Sequence, residues 1–240
     1  IIDDTEQRKM AQLNITHRVK AAGTHEFKAG FEIEDQTQSK ARLYSGNDST
    51  NGGAFITDDV NGNLVTTDRW VQLAPQGSTD PRFNQMCYDQ TSGRSFQCAY
   101  LGGSLGSPGT QISGSEINWA AYARDSWQIR PNITLNVGIR YEEQYLRYAN
   151  FLQNTVDPLT GNQLGKDAMA LKNNWAPRIG ILWDPSKEGR SKVYAHWGRF
   201  FSQIPMDINE RSFGGEVTYQ QEWTASGCGA LVGALGLAAR

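Results

Sequence analysis

Cys87 and Cys98 come first among the residues of this 240-residue sequence that could do chemistry. They stand eleven positions apart in a stretch rich in Gly, Ser, Thr and Asn. In a loop facing an oxidising exterior, that pair would close a surface excursion as a disulfide. The plainer reading is two separate thiols. Cys228, the third cysteine, is left over in a different part of the chain.

The other chemical candidates are weaker. Asp58, Asp59, Asn61, Gly62, Asn63 and Asp68 resemble an oxygen-rich calcium loop, but the spacing departs from the pattern and no bidentate Glu closes it, so a polar loop is favoured. His17, His25 and His196 have no His or Cys neighbour at ligand spacing, so no metal is expected. Glu32, Glu34 and Asp35, or Glu142 and Glu143, supply carboxylates. The two glutamates at 32 and 34 fall on the polar side of an alternating pattern, which suits solvated residues better than an acid/base pair. Gly102–Gly106 is glycine-rich without the strand-to-helix setting of a phosphate cradle. No catalytic group, cofactor or metal is expected, and the chain reads as a non-enzyme.

The elements that carry these residues are more informative. From 117 to 129, Ile117, Trp119, Ala121, Ala123, Asp125, Trp127 and Ile129 alternate with Asn118, Ala120, Tyr122, Arg124, Ser126 and Gln128, a strand with one apolar and one polar face. Arg130-Pro131-Asn132 makes a tight turn. Ile133, Leu135, Val137, Ile139 and Tyr141 then alternate with Thr134, Asn136, Gly138, Arg140 and Glu142. A second pair runs over 174–184 and 193–201. Trp175, Pro177, Ile179, Ile181 and Trp183 share a face, with Arg178 opposite. A third pair lies near the start: Leu13, Ile15, His17 and Val19, then Phe27, Ala29, Phe31 and Ile33.

Connection lengths select the fold. They run short (about 20–26), long (about 45–115), short (130–132), long (about 149–173), short (about 185–191) and long again from about 203. An up-and-down barrel in a membrane produces that order, with short periplasmic turns and long extracellular loops. A compact soluble domain rarely carries a structureless loop of about 70 residues. The expected fold is all-β: an antiparallel up-and-down transmembrane β-barrel segment of about six or seven strands with long extracellular loops. Because an open sheet edge is not viable in hydrocarbon, these strands must belong to a larger barrel. The apolar face is assigned to outer-membrane lipid: Trp119, Trp127, Leu135, Val137, Ile139, Ile179 and Ile181. Arg124, Asn136, Arg140 and Arg178 are assigned to the lumen, where they would pair with carboxylates of a plug, or with Glu142 and Asp184. Trp127, Trp183 and Trp197 lie toward the short-turn ends or mid-strand, and Trp119, Trp175 and Tyr141 toward the long-loop ends, as two interfacial girdles would.

Composition agrees. With 23 Lys+Arg against 25 Asp+Glu, nothing suggests a nucleic-acid partner. The apolar content of 38% is low for a large filled core, while seven Trp is high. No apolar run reaches the ~20 residues of a transmembrane helix. The opening Ile1-Ile2-Asp3-Asp4 suggests a fragment or processed product.

Trp119-Ala120-Ala121-Tyr122-Ala123-Arg124-Asp125-Ser126-Trp127, followed by Pro131-Asn132-Ile133-Thr134-Leu135-Asn136-Val137-Gly138-Ile139-Arg140-Tyr141-Glu142, resembles a hairpin of the TonB-dependent receptor barrels. Asn174-Trp175-Ala176-Pro177-Arg178-Ile179-Gly180 with Trp183-Asp184-Pro185 resembles the next hairpin, and Lys192–Phe201 its return strand. The variety it looks most like is the Oar-like one, which carries a carboxypeptidase-regulatory-like domain. The resemblance covers roughly 9–223. It implies an outer-membrane location, uptake of a solute or peptide, a plug, further barrel strands and a TonB-type energising partner. No plug, TonB box, regulatory domain or closing strand is recognisable. Residues 224–240 lose the alternation and read as an atypical tail. An adhesion or surface-signalling protein of the same build is the alternative, with a soluble all-β binding module behind it.

Overall fold

A computed structural model describes residues 2–42, 55–60, 64–75, 77–81, 83, 85–100 and 110–224. In chain order the elements are β1 (Ile2–Lys20), β2 (Thr24–Arg42), β3 (Phe55–Val60), β4 (Leu64–Leu73), β5 (Gln85–Asp89), β6 (Arg94–Tyr100), β7 (Thr110–Arg130), β8 (Ile133–Arg147), β9 (Asp167–Trp183), β10 (Val193–Gly198), α1 (Met206–Phe213) and β11 (Glu216–Thr224). Six strands make one antiparallel sheet in the order β1-β2-β7-β8-β9-β10. Each strand pairs with the next one along the main path, as an up-and-down meander requires. The sheet is open, with β1 and β10 at its edges.

Its strands are long: 19 residues in β1 and β2, 21 in β7 and 17 in β9. Crossing hydrocarbon takes only ~9–11 tilted residues. The surplus lies toward the long connections. There both faces carry polar residues, as in Glu34–Ser39 of β2, so apolar alternation is not needed to form a strand. That is why alternation alone places the start of β9 near 174 and stops β7 short of Thr110.

The three short turns match their sequences. Ala22 (φ 48°) and Gly23 (φ 124°) turn β1 into β2. A side chain on Gly23 would meet the Gln128 backbone, so glycine is needed there for space as well as for φ. Asp184 organises the β9–β10 turn. Its carboxylate accepts from the Ser186 N–H (3.0 Å) and the Gly189 N–H (2.7 Å). The Ser186 hydroxyl, which donates to the same carboxylate at 2.5 Å, together with these N–H groups holds its carboxyl below the usual carboxylate range. Asn132 and Asp184 tie the second and third turns together: the Asp184 N–H donates to the Asn132 carbonyl (2.9 Å), and Asn132 Nδ2 returns to the Asp184 carbonyl (3.1 Å).

The long connection between β2 and β7 is not structureless, as the sequence reading had it. β4, β6 and β5 form a smaller sheet that β11 completes in the order β11-β4-β6-β5, with β3 also on β4. Leu73, Cys87, Phe96 and Cys98 make its core, with Leu159 and Val217 packed against it. These strands escaped notice because they have only 5–10 residues each.

Candidate functional site

Register divides the main sheet into two faces. Val137 pairs with Asp125 on β7 and Ile179 on β9; Leu135 pairs with Trp127 and Ile181; Ile139 pairs with Ala123 and Pro177. Ile15, Ala29 and Ala123 continue that row to the β1 edge. One apolar face thus runs across all six strands, carrying Trp119, Trp127, Leu135, Val137, Ile139, Ile179 and Ile181. It is open: Leu13 is 64% exposed, Val137 46% and Trp197 63%. Soluble monomers rarely expose an apolar patch beyond a few hundred Å².

Aromatic rings border this face on two levels. Toward the long loops, Phe31, Trp119, Tyr141 and Trp175 form a chain with centroids 6.2, 5.4 and 4.6 Å apart. Toward the short turns lie Phe27, His25 and Trp127, stacked at 5.4 and 5.1 Å, and Trp183 on β9. Trp119 and Trp127 on β7, like Trp175 and Trp183 on β9, are eight residues apart. At ~3.3 Å per residue that is about 26 Å along a strand. Projected for a tilt of ~40°, it gives about 20 Å, close to the ~25 Å apolar band of such barrels. Beyond Tyr141 the face turns polar: the Tyr141 and Tyr145 hydroxyls both donate to Glu143.

Asp125, the one acid in the apolar alternation of β7, has a partner that sequence reading missed. Its Oδ2 lies 2.7 Å from His25 Nδ1, and His25 Nε2 lies 3.1 Å from the Ala21 carbonyl. The structure alone fixes the register that reveals it, with His25 opposite Trp127, two residues from Asp125. The other histidines, His17 on β1 and His196 on β10, remain apart.

The opposite face is polar and cross-linked, and it carries Arg124, Asn136, Arg140 and Arg178. Arg140 pairs with Glu32 and, at 3.4 Å, with Glu142. Arg8 pairs with Glu34 and Arg18 with Glu26. Arg178 lies 4.5 Å over the Phe200 ring rather than toward Asp184, which is engaged in its own turn. Asn136 sits opposite Ser126 and Gly180. Tyr122 lies across Gly30 and donates its hydroxyl to Asn14 on β1. A Cβ at residue 30 would collide with both side chains. Gly30→Val should therefore displace Tyr122 at a cost of about 1–3 kcal/mol, read as a lower melting temperature of the full-length barrel by gel mobility.

At the long-loop end the polar face is covered. After β10 the chain crosses it as a strap, Arg199 to Gly215, that includes α1. Gln144 binds Ile204 twice, donating to its carbonyl and accepting from its N–H, each at 2.9 Å. Asn209 Nδ2 donates to the Ser115 carbonyl (2.8 Å), and Lys40 Nζ meets Glu210 Oε2 at 3.0 Å. Asn209 and Glu210 are fully buried, and Gly114 lets α1 approach closely. The buried side of α1 is Met206, Asn209 and Glu210. A helix of eight residues with two polar groups on its inner face leaves no amphipathic signature to read.

In the smaller sheet Cys87 and Cys98 are joined as a disulfide, with Cα atoms 6.0 Å apart. Asp89 caps the adjacent turn, accepting from the Thr91 (3.1 Å) and Ser92 (3.0 Å) N–H groups. Bonding with Ser92 and Thr91 holds its carboxyl below the usual range. Cutting a bridge of this loop length should cost the lobe ~2–4 kcal/mol; trypsin cleavage after Arg94 in Cys87→Ser with Cys98→Ser should then outpace that in the native protein. Asp58 and Asp59 lie on β3 and Asp68 on β4. Asn61, Gly62, Asn63, Gly102–Gly106, Cys228 and the 225–240 part of the tail lie outside the described residues. Among the described residues no group of three or more His, Cys, Asp or Glu is placed to hold a metal ion, and no helix is long and apolar enough to cross a membrane.

A two-faced meander of long strands with aromatic borders has a counterpart among known proteins. The family model "Outer membrane beta barrel domain" matches residues 4–233. The chain belongs to that outer-membrane β-barrel family. As a barrel domain it is also similar to the TonB-dependent transporter Oar of Myxococcus xanthus, 29% identical over 215 residues, or 89% of this chain. The barrel domain spans 17% of that relative's length. The open edges of the six-stranded sheet fit a wall segment whose closure needs further strands.

Proposed function

We propose that this barrel domain is part of the wall of a TonB-dependent uptake protein. Its apolar face meets outer-membrane lipid, its polar face lines the lumen, and the disulfide-bonded lobe stands outside the cell. The observation that carries the reading is the apolar face itself, continuous across six strands and backed by an ion-paired polar face. Similarity to a transporter supports uptake and coupling to an energising protein of the TonB type. A solute or peptide is the cargo class this reading carries. The role proposed is transport, which the similarity to a transporter supports.

The experiment uses the full-length protein in its outer membrane. Photo-crosslinkers placed in its periplasm-facing segments should capture the energising protein. Insertion as a heat-modifiable barrel without such capture would remove uptake and leave adhesion or surface signalling.

A further inference from the structure

We propose that β5, at the free edge of the smaller sheet, docks an extended acidic peptide outside the cell by taking it on as a further strand. This rests on the reading that the smaller sheet stands outside the cell, and it narrows the proposed cargo from a solute or peptide to an extended peptide. Among the described residues β5 pairs with β6 alone, and it ends the sheet order. In the membrane wall an open edge must be closed by further strands. No hydrocarbon surrounds β5 in that reading, so its open edge needs a different account.

One hydrogen bond fixes the direction of that edge. The Ala74 N–H, just past β4, donates to the Gln97 carbonyl on β6 at 3.1 Å, so residue 97 aims its backbone groups toward β4. Met86 stands opposite Gln97 in the antiparallel register. With Gln97 turned away, the two form a non-hydrogen-bonded pair, and Met86 aims its own N–H and C=O at the free edge. Tyr88, two residues on, does the same. Edges that must stay unpaired are guarded by Pro, Lys or a bulge. Gln85–Asp89 contains neither residue, and its register with β6 is unbroken. A five-residue strand paired on one side would fray, but the Cys87–Cys98 disulfide ties it to β6. A partner therefore meets an edge that is already ordered.

Shape and charge select the occupant. Two outward sets of N–H and C=O groups about 7 Å apart match another extended backbone, not a compact solute. The Met86 and Tyr88 side chains stand on the face opposite the buried Cys87 and are 61% and 54% exposed. They offer apolar contacts to alternate side chains of an added strand. A cavity of about 250 Å³ adjoins Met86, lined also by Pro75, Phe96, Pro158 and Arg94. Arg94 forms no ion pair among the described residues. Asp89, opposite it in register, is engaged by the Thr91 and Ser92 N–H groups. An acidic side chain on the peptide supplies the missing counter-charge.

The test uses the full-length protein in outer-membrane vesicles and a library of short peptides, randomised but for two fixed Glu, with retained peptides read by mass spectrometry. Resynthesised with N-methyl groups on alternate backbone nitrogens, retained peptides should lose affinity at least about tenfold in one register and less than about threefold in the other. Tyr88→Pro, which removes an outward N–H, should weaken them at least about tenfold, Tyr88→Val by less than about threefold, and Arg94→Gln by about threefold or more. An intact Cys87–Cys98 disulfide in each variant, read by mass, shows that the lobe has folded. The proposal is overturned if no peptide is retained, if both methylation registers behave alike, if Tyr88→Pro binds no worse than Tyr88→Val, or if Arg94→Gln binds as the native protein does. It is equally overturned if a photo-crosslinking amino acid in place of Tyr88, without peptide, couples to another part of this chain or to a second copy, since the edge is then already filled. Gln90→Cys on intact cells separates the two readings. Labelling by a membrane-impermeant maleimide keeps the lobe outside whatever the peptides do, and labelling only after lysis removes that placement itself.

Discussion

Val137→Arg should destabilise the membrane-inserted barrel by about 2–4 kcal/mol, whereas Asn136→Arg should change it by less than about 1 kcal/mol. The two positions are neighbours on β8 and differ only in the face they present. Residue 137 sits between Asp125 and Ile179 in the apolar row, roughly midway between the aromatic levels marked by Tyr141 and the short turn at 131–132. A guanidinium there must shed its water into hydrocarbon or drag water in with it. Asn136 sits between Ser126 and Gly180 on the polar face, where a longer side chain meets space and water. Equilibrium unfolding of the full-length protein from lipid bilayers would measure both. The difference between the two variants is the informative quantity, because it cancels helix-free, sheet-wide effects of adding a charge.

The second large effect is expected at the strap. Lys40→Met leaves the Glu210 carboxylate buried without its cation, since the Glu210 side chain has no solvent exposure and Lys40 is its one ion-pair partner among the described residues. Removing one member of a buried pair typically costs about 3–5 kcal/mol. The other ties are hydrogen bonds from Gln144 and Asn209, each contributing about 0.5–1.5 kcal/mol. The strap should therefore detach locally while the sheet stays folded. Arg199 and Arg211 would become trypsin sites in Lys40→Met. Adding Glu210→Leu, which removes the stranded charge, should restore much of the protection. A double variant cut as fast as the single one would mean that the ion pair does not hold the strap.

Much of this architecture was legible because a barrel wall repeats one simple rule. Period-two alternation in 117–129 and 133–141 placed the two faces of β7 and β8, and the order of short and long connections placed the meander. Legibility failed where that rule stops applying. Above Tyr141 and before Asn174 neither face needs apolar residues, so the strand extensions carry no pattern. The strands of the smaller sheet depend on pairing partners far along the chain, such as Glu216–Thr224 with Leu64–Gln72. The strap is held by polar side chains, and polar residues read as surface until their partners are known. His25 with Asp125, Tyr122 over Gly30 and Lys40 with Glu210 all depend on contacts across strands or from the strap. They become visible only when register is fixed.

Register also separates residues that sequence treats alike. Arg124, Arg140 and Arg178 are equivalent by alternation. In the structure Arg140 is bound by Glu32 and Glu142, Arg178 covers Phe200, and Arg124 faces Lys28 and Gly138. Arg140 is thus tied into the ion-pair network of the polar face, and the other two are not.

One face of this sheet is proposed to meet lipid and the other the lumen. Spin labels placed singly at each position from Ile133 to Tyr141, in the full-length protein in outer membranes, test it most directly. Collision rates with oxygen, which concentrates in lipid, should peak at 133, 135, 137, 139 and 141. Collision rates with a water-soluble nickel complex should peak at the even positions between them. Equal access of the nickel complex to odd and even positions would contradict the account.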